Sequence, residues 1–168
     1  MLDANQSFDE SNLDILRKLD EFDIACIEEP YNPSFVPRNG DTNLFARLSD
    51  LQEHIKTPVC LDESVVTAQD MEEAMDFDNL AKFGGIQPTL DFYKWAREQG
   101  KVTWMGGMFD TGVSKRMHAA FATLPGMDLP ADVSDFTEYF EHDTALPPLQ
   151  LQEGELVLNT VDHPAGLG

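Results

Sequence analysis

Before residue 65, a short apolar run ends in an acid and passes at once into turn chemistry three times. The three runs are Met1-Leu2-Asp3-Ala4-Asn5, Ile24-Ala25-Cys26-Ile27-Glu28-Glu29-Pro30 and Thr57-Pro58-Val59-Cys60-Leu61-Asp62-Glu63-Ser64. Between them lie stretches of helical period, with Leu13, Leu16, Leu19 and Phe22 on one stripe and Leu44, Phe45, Leu48, Leu51 and Ile55 on the next. Strands that alternate with amphipathic helices build parallel βαβ units, and the carboxyl ends of such strands carry the chemistry. A complete (β/α)₈ barrel needs about 250 residues. With 168 residues, the expected fold is therefore α/β, a partial (β/α) barrel.

Read in order, Ser7 and Glu10 have the spacing of a capping box, as do Thr67 and Asp70. Pro30, Pro33, Pro37 and Gly40 mark a long loop suited to the mouth of a site. After Asp76-Phe77-Asp78-Asn79 only Leu80-Ala81 precede Lys82-Phe83-Gly84-Gly85, so one internal strand is expected to be missing. A helix from Pro88 to Gln99 stops at Gly100. The run Val102 to Met108 reads as a strand closing on Gly106-Gly107, where a ligand would meet bare backbone. A helix from Val113 to Leu124 and a terminal strand from Gly154 follow, which divides the chain into a barrel part, 1–153, and a tail segment, 154–168.

Carboxylates at the ends of three adjacent strands, about 4.8 Å apart, converge and repel one another. A hard divalent cation relieves that repulsion, and an all-oxygen set suits Mg²⁺, with Mn²⁺ as a substitute. Zinc fits poorly, because no His or Cys cluster accompanies the acids. Asp3, Glu28 and Asp62 are thus the proposed metal ligands, although each acid taken singly also suits a helix cap. Glu29 and Glu63 are offset by one residue and are expected to face elsewhere, with Glu63 still able to reach a neighbour.

A formal charge of −20 argues against nucleic acid as a partner. The absence of a long apolar run argues against a membrane span, and nothing directs the chain out of the cytoplasm. Cys26 and Cys60 sit within apolar runs and read as reduced core residues.

Four blocks in order carry a resemblance: Met1-Leu2-Asp3-Ala4-Asn5, Ile27-Glu28-Glu29-Pro30, Leu61-Asp62-Glu63-Ser64 and Trp104-Met105-Gly106-Gly107-Met108-Phe109-Asp110-Thr111-Gly112. Together they resemble the enolase superfamily, and within it the o-succinylbenzoate synthases, which grade into N-acylamino acid racemases. The resemblance implies a (β/α)₇β-type barrel in which Asp3, Glu28 and Asp62 match the Mg²⁺ ligands. Gly106, Gly107, Met108 and Asp110 would lie on the side of a small-molecule carboxylate substrate. The implied reaction is Mg²⁺-assisted removal of a proton next to a carboxylate, then loss of water to give 2-succinylbenzoate in menaquinone biosynthesis. Proton removal there adds negative charge, which a metal neutralises by several kcal/mol.

Against that pattern the chain is expected to lack the first barrel strands, the capping domain, a Lys-x-Lys pair and a second acid/base lysine. Lys82 stands too close to Gly84-Gly85 to match that lysine, and Asp110 stands where most relatives carry Glu. No catalytic acid/base residue is therefore assigned. The chain is expected to be inactive alone and to self-associate or form homo-oligomers through unpaired strand edges. Two other readings stand beside this one: a racemase, dipeptide epimerase or muconate cycloisomerase relative, and a non-catalytic metal-binding remnant. Lys115 and Arg116 read as an exposed helical face, His118 as a partly buried helix residue, and Trp104 as core.

Overall fold

The computed structural model describes residues 1–74, 79–80, 85–135, 137 and 139–157. Two compact units emerge, Met1–Val102 and Thr103–Gly168. In the first, strands and helices alternate: β1 (Leu2–Asp3), α1 (Leu13–Leu19), β2 (Ile27–Glu28), α2 (Leu44–His54), β3 (Val59–Leu61), α3 (Ala68–Glu73), β4 (Asn79–Leu80) and α4 (Ile86–Glu98), and the short β5 (Val102–Thr103) falls at the boundary. The strand order is β1-β2-β3-β4-β5, and the pairs from β1 to β4 are parallel. This is the α/β alternation that the sequence implies. The strand expected to be missing after Asn79 is present in reduced form, since Cys60 pairs with Asn79 and Leu61 with Leu80. Backbone pairing alone suffices for two residues, so the slot is kept without the apolar run of a full-length strand.

The core of this unit packs Leu16 of α1, Leu48, Leu51 and Ile55 at α2, and Ile27, Val59 and Leu61 of the sheet. Phe22, expected on the α1 stripe, is 71% exposed. The α-helix gives way to a 3₁₀ turn over Asp20–Phe22 that ends in left-handed Asp23, and the change from 3.6 to 3.0 residues per turn rotates Phe22 off the buried face. The first cap also differs, because Asp9 rather than Ser7 forms the capping box, with Asn12. The Thr67–Asp70 box at α3 forms as the spacing predicts. Arg47 of α2 is buried and joins the Glu10 carboxylate at 2.5 Å to the carbonyl of Asn32 at 3.2 Å. It thereby ties the loop after β2 to the helix face.

Asp20 sets the entry to β3. Its carboxylate accepts the N–H groups of Lys56 (3.0 Å) and Thr57 (2.8 Å) and the Thr57 hydroxyl (2.9 Å). Burial pushes its pKa up, but these donors outweigh burial and hold it below the usual value. Its contribution to stability is therefore present above the unfolded-state pKa and lost as pH falls through the lower folded one. Asp20→Ala strands two backbone donors and is expected to cost ~1–3 kcal/mol. A lower urea midpoint at unchanged slope reads that loss, and an unchanged midpoint contradicts it.

The second unit opens on Thr103, whose backbone bridges Met127. Helix α5 (Gly112–Ala122) follows, then the antiparallel hairpin β6 (Gln150–Gln152) and β7 (Glu155–Val157). The expected division at 153/154 falls in the turn of this hairpin. The predicted strand Val102 to Met108 stops at Thr103. Beyond it the Met105 carbonyl accepts the Asp132 N–H at 2.9 Å, and a Cβ on Gly107 would stand 1.9 Å from the Asp132 carbonyl oxygen. Gly107 is thus required by a loop lying against it rather than by a neighbouring strand. Lys115, expected on an exposed face, is 2% exposed. Its ammonium donates to Ser134 Oγ (2.9 Å) and the Asp135 carbonyl (2.7 Å) and sits 5.3 Å from the Tyr139 ring centroid, which satisfies the charge without solvent. Trp104 is buried as expected.

Candidate metal centre

Parallel register puts the proposed ligands on one edge of the first unit. Leu2 pairs with Ile27 and Asp3 with Glu28, while Glu28 pairs with Cys60 on its other side. Asp62 lies two residues past Cys60, just beyond the end of β3, and a hydrogen bond between its side chain and Glu28 brings the two together. Cys26, two residues before Glu28, shares the face of Glu28. A hydrogen bond from Cys60 pulls its thiol below the ordinary value against the opposing effect of burial. Both cysteines are buried thiols outside any disulfide, as the sequence implies.

Glu28 is 5% exposed, and its carboxyl is pushed up to about 8. Burial is the first cause; then come the charges of Asp62 and Asp3, a hydrogen bond with Asp62, and the charge of Glu63. The face thus gathers three acids around a fourth, which answers their field by keeping a proton at neutral pH. Asp3 is engaged locally: its Oδ1 accepts the Asn5 N–H at 2.9 Å and its Oδ2 the Asn5 side-chain amide at 2.6 Å. Among the described residues, no three His, Cys, Asp or Glu side chains stand together as a ready-made metal group. The donor chemistry nevertheless suits a hard cation, because Asp3, Glu28, Asp62 and Glu63 all offer carboxylate oxygens and the Glu28 carboxyl is raised by its acidic neighbours.

Sequence reasoning missed Glu29. Expected to face away, it is fully buried, and its carboxylate accepts hydrogen bonds from the loop that carries Asp62. No residue pattern announces this, since it depends on a left-handed backbone at Glu29 (φ 41°). Glu63 does reach its neighbour, through charge.

In the second unit, Gly106 is buried and Met108 and Phe109 are 60% and 70% exposed. The Asp110 carboxylate accepts the Met108 N–H at 3.0 Å and lies 3.6 Å from His118 Nδ1. Asp143 caps α5 by accepting the Gly112 N–H at 2.6 Å. Lys82 and Gly84 lie outside the described residues. Among the described residues no helix is long and apolar enough to cross a membrane.

A family model described as enolase C-terminal domain-like matches residues 1–168. The o-succinylbenzoate synthase of Bacillus subtilis is 28% identical over all of this chain and 44% of its own length. The N-succinylamino acid racemase of Thermus thermophilus is 32% identical over 99% of this chain and 44% of its own length. A crystal structure of an enolase-superfamily member from Enterococcus faecalis, 29% identical, superposes over 99% of this chain and 43% of that one with a TM-score of 0.82. The chain therefore spans less than half the length of the relatives it matches.

Proposed function

Because this chain belongs to the enolase C-terminal domain-like family, we propose that it supplies the metal-binding carboxylates of an Mg²⁺-dependent lyase of the o-succinylbenzoate synthase type. The observation that carries this reading is the state of Glu28, a buried acid raised to about 8 by acids from both neighbouring strands. Nature seldom gathers buried carboxylates without a counter-charge. Asp3, Glu28 and Asp62 would hold Mg²⁺, and when bound the ion supplies Lewis-acid neutralisation of charge on a carboxylate substrate. The chain's own residues do the rest of the preparation. To hold the ion, Glu28 would have to be ionised and Asp3 would have to turn from its contacts to Asn5. Gly106, Gly107, Met108 and Asp110 are the residues that the family resemblance assigns to the substrate, with Gly107 itself packed against the Asp132 backbone. The substrate is a small-molecule carboxylate and the setting is cytoplasmic.

A second reading, racemisation of an N-succinylamino acid, is favoured by the 32% identity to the Thermus thermophilus racemase. Both reactions begin by removing a proton next to a carboxylate, and the fold does not distinguish them. Calorimetry tests the metal site: the chain is expected to bind Mg²⁺, and Asp62→Asn to weaken binding by at least tenfold, as lost metal-site groups typically do. Equal affinity in the variant removes Asp62 from the site. Because no acid/base residue is assigned in this chain, it is expected to give no aromatic product from the cyclohexadiene substrate by ultraviolet absorbance when assayed alone; dehydration that appears only when a fragment carrying acid/base lysines is added supports the lyase. Racemisation of an N-succinylamino acid without dehydration selects the second reading.

A further inference from the structure

Glu29 is wholly buried and is no part of the proposed ligand set. Its Oε1 accepts the N–H groups of Asp62 (2.8 Å) and Ser64 (2.9 Å). Its Oε2 accepts the Ser64 hydroxyl at 2.6 Å and the Gln6 side-chain amide at 3.4 Å. The backbone joins in, with the Glu29 N–H donating to the Cys60 carbonyl (3.0 Å) and the Gln6 N–H donating to the Glu29 carbonyl (2.7 Å). One residue therefore fastens the loop after β3, which carries Asp62, and the loop after β1, which follows Asp3.

The conformation that allows this is unfavourable in isolation. Glu29 has φ 41°, a region that residues with a side chain seldom occupy, and the following Pro30 presses its predecessor toward extended geometry. Such a conformation persists only where its surroundings over-determine it, and here four donors on one carboxylate do so. The dipeptide Glu28-Glu29 thus divides the labour, with Glu28 among the clustered acids and Glu29 locking the backbone of the neighbouring strand end.

We propose that Glu29 is a positioning residue whose buried carboxylate fixes the Asp62–Ser64 loop, so that cation affinity at Glu28 and Asp62 depends on a side chain that does not touch the ion. This deepens the metal reading given above and rests on it. The hydrogen bonds, rather than the charge, are what the site needs. Glutamine at this position keeps an oxygen for the two N–H groups and an amide that donates to Ser64 Oγ once that hydroxyl turns, and to the Gln6 side-chain oxygen once that amide turns over; alanine keeps neither.

The test pairs Mg²⁺ calorimetry with amide hydrogen exchange on the full chain. Glu29→Ala is expected to lower Mg²⁺ affinity at least about tenfold, in the range seen for groups that orient ligands. The Asp62 and Ser64 amides should then lose protection while α2 keeps its own. Glu29→Gln is expected to restore affinity to within about threefold of wild type, a small fraction of that range. If Glu29→Ala fails to fold, Ser64→Ala, which removes only the hydroxyl donor to Oε2, should still weaken binding measurably and loosen the same amides. Two results overturn the proposal: full Mg²⁺ affinity despite exposed Asp62 and Ser64 amides, or a loss in Glu29→Gln as large as in Glu29→Ala. A wild-type chain with no Mg²⁺ affinity overturns it through the parent reading. That failure is distinguishable, because the amide comparison still reports whether Glu29 holds the loop.

Discussion

Glu28→Gln is expected to stabilise the metal-free chain at alkaline pH while removing its Mg²⁺ binding. The two effects share one cause. A carboxyl raised from 4.5 to about 8 is far easier to protonate in the folded chain than in the unfolded one. A group with a raised folded pKa contributes stability that is fully present below its unfolded pKa and is lost as pH rises through its folded pKa. Between about 4.5 and 8 the metal-free fold therefore weakens by up to ~1.4 kcal/mol per pH unit from this one group. Glutamine has nearly the same shape and no charge to lose. At pH 5 the two chains should melt within a few degrees of each other. At pH 9 the variant should be the more stable by a few kcal/mol, a rise of roughly 5–10 °C in Tm for a domain of this size. Its Mg²⁺ affinity should fall by more than the 10–100-fold that supporting groups typically cost, since a charged ligand is gone. Scanning calorimetry at the two pH values, with and without Mg²⁺, reads both. A variant that melts lower than wild type at pH 9, or still gains stability from Mg²⁺ as wild type does, contradicts the assignment.

The outline of this centre is legible in the sequence because strands deliver acids by arithmetic. An apolar run followed by Asp or Glu fixes which residue stands at the strand end, and parallel register then puts Asp3 beside Glu28. What the pattern does not convey is stagger. Asp62 stands two residues beyond the register partner of Glu28, so the three acids share an edge but not a level. Glu29 escapes for a related reason, because alternation predicts its direction only while the strand continues, and the strand ends there in a left-handed residue. In the second unit, Gly106-Gly107 reads as a strand end open to a ligand, yet the close partner of Gly107 is the Asp132 backbone, distant in sequence. Lys115 looks like a solvated charge until Ser134 and Asp135 enclose it. Local composition shows periodicity and turns; it does not show which loop returns to satisfy a buried donor or acceptor.

The strongest consequence of the clustered acids concerns how the site loads. If Glu28 holds a proton at neutral pH and a carboxylate when it binds Mg²⁺, each binding event must release that proton. Well below about pH 8 the apparent affinity should fall by close to tenfold for each pH unit, so that roughly 50-fold separates pH 8 from pH 6. Above about 8 it should level off. At pH 7, calorimetric enthalpies in two buffers of different ionisation enthalpy should report close to one proton released per ion. Ionic strength must be held constant, because the net charge of −20 draws cations non-specifically and salt screens that attraction. Asp62→Asn separates the contributions: without the Asp62 charge and hydrogen bond, the Glu28 carboxyl releases its proton at lower pH. The affinity profile of that variant should shift toward acid while its plateau drops, since one neighbour raises the proton's affinity and also serves the ion. A flat profile between pH 6 and 8, or a shift in the alkaline direction, would mean that Glu28 is not the residue the cation displaces a proton from, and the carboxylate face would lose its claim to be a metal centre.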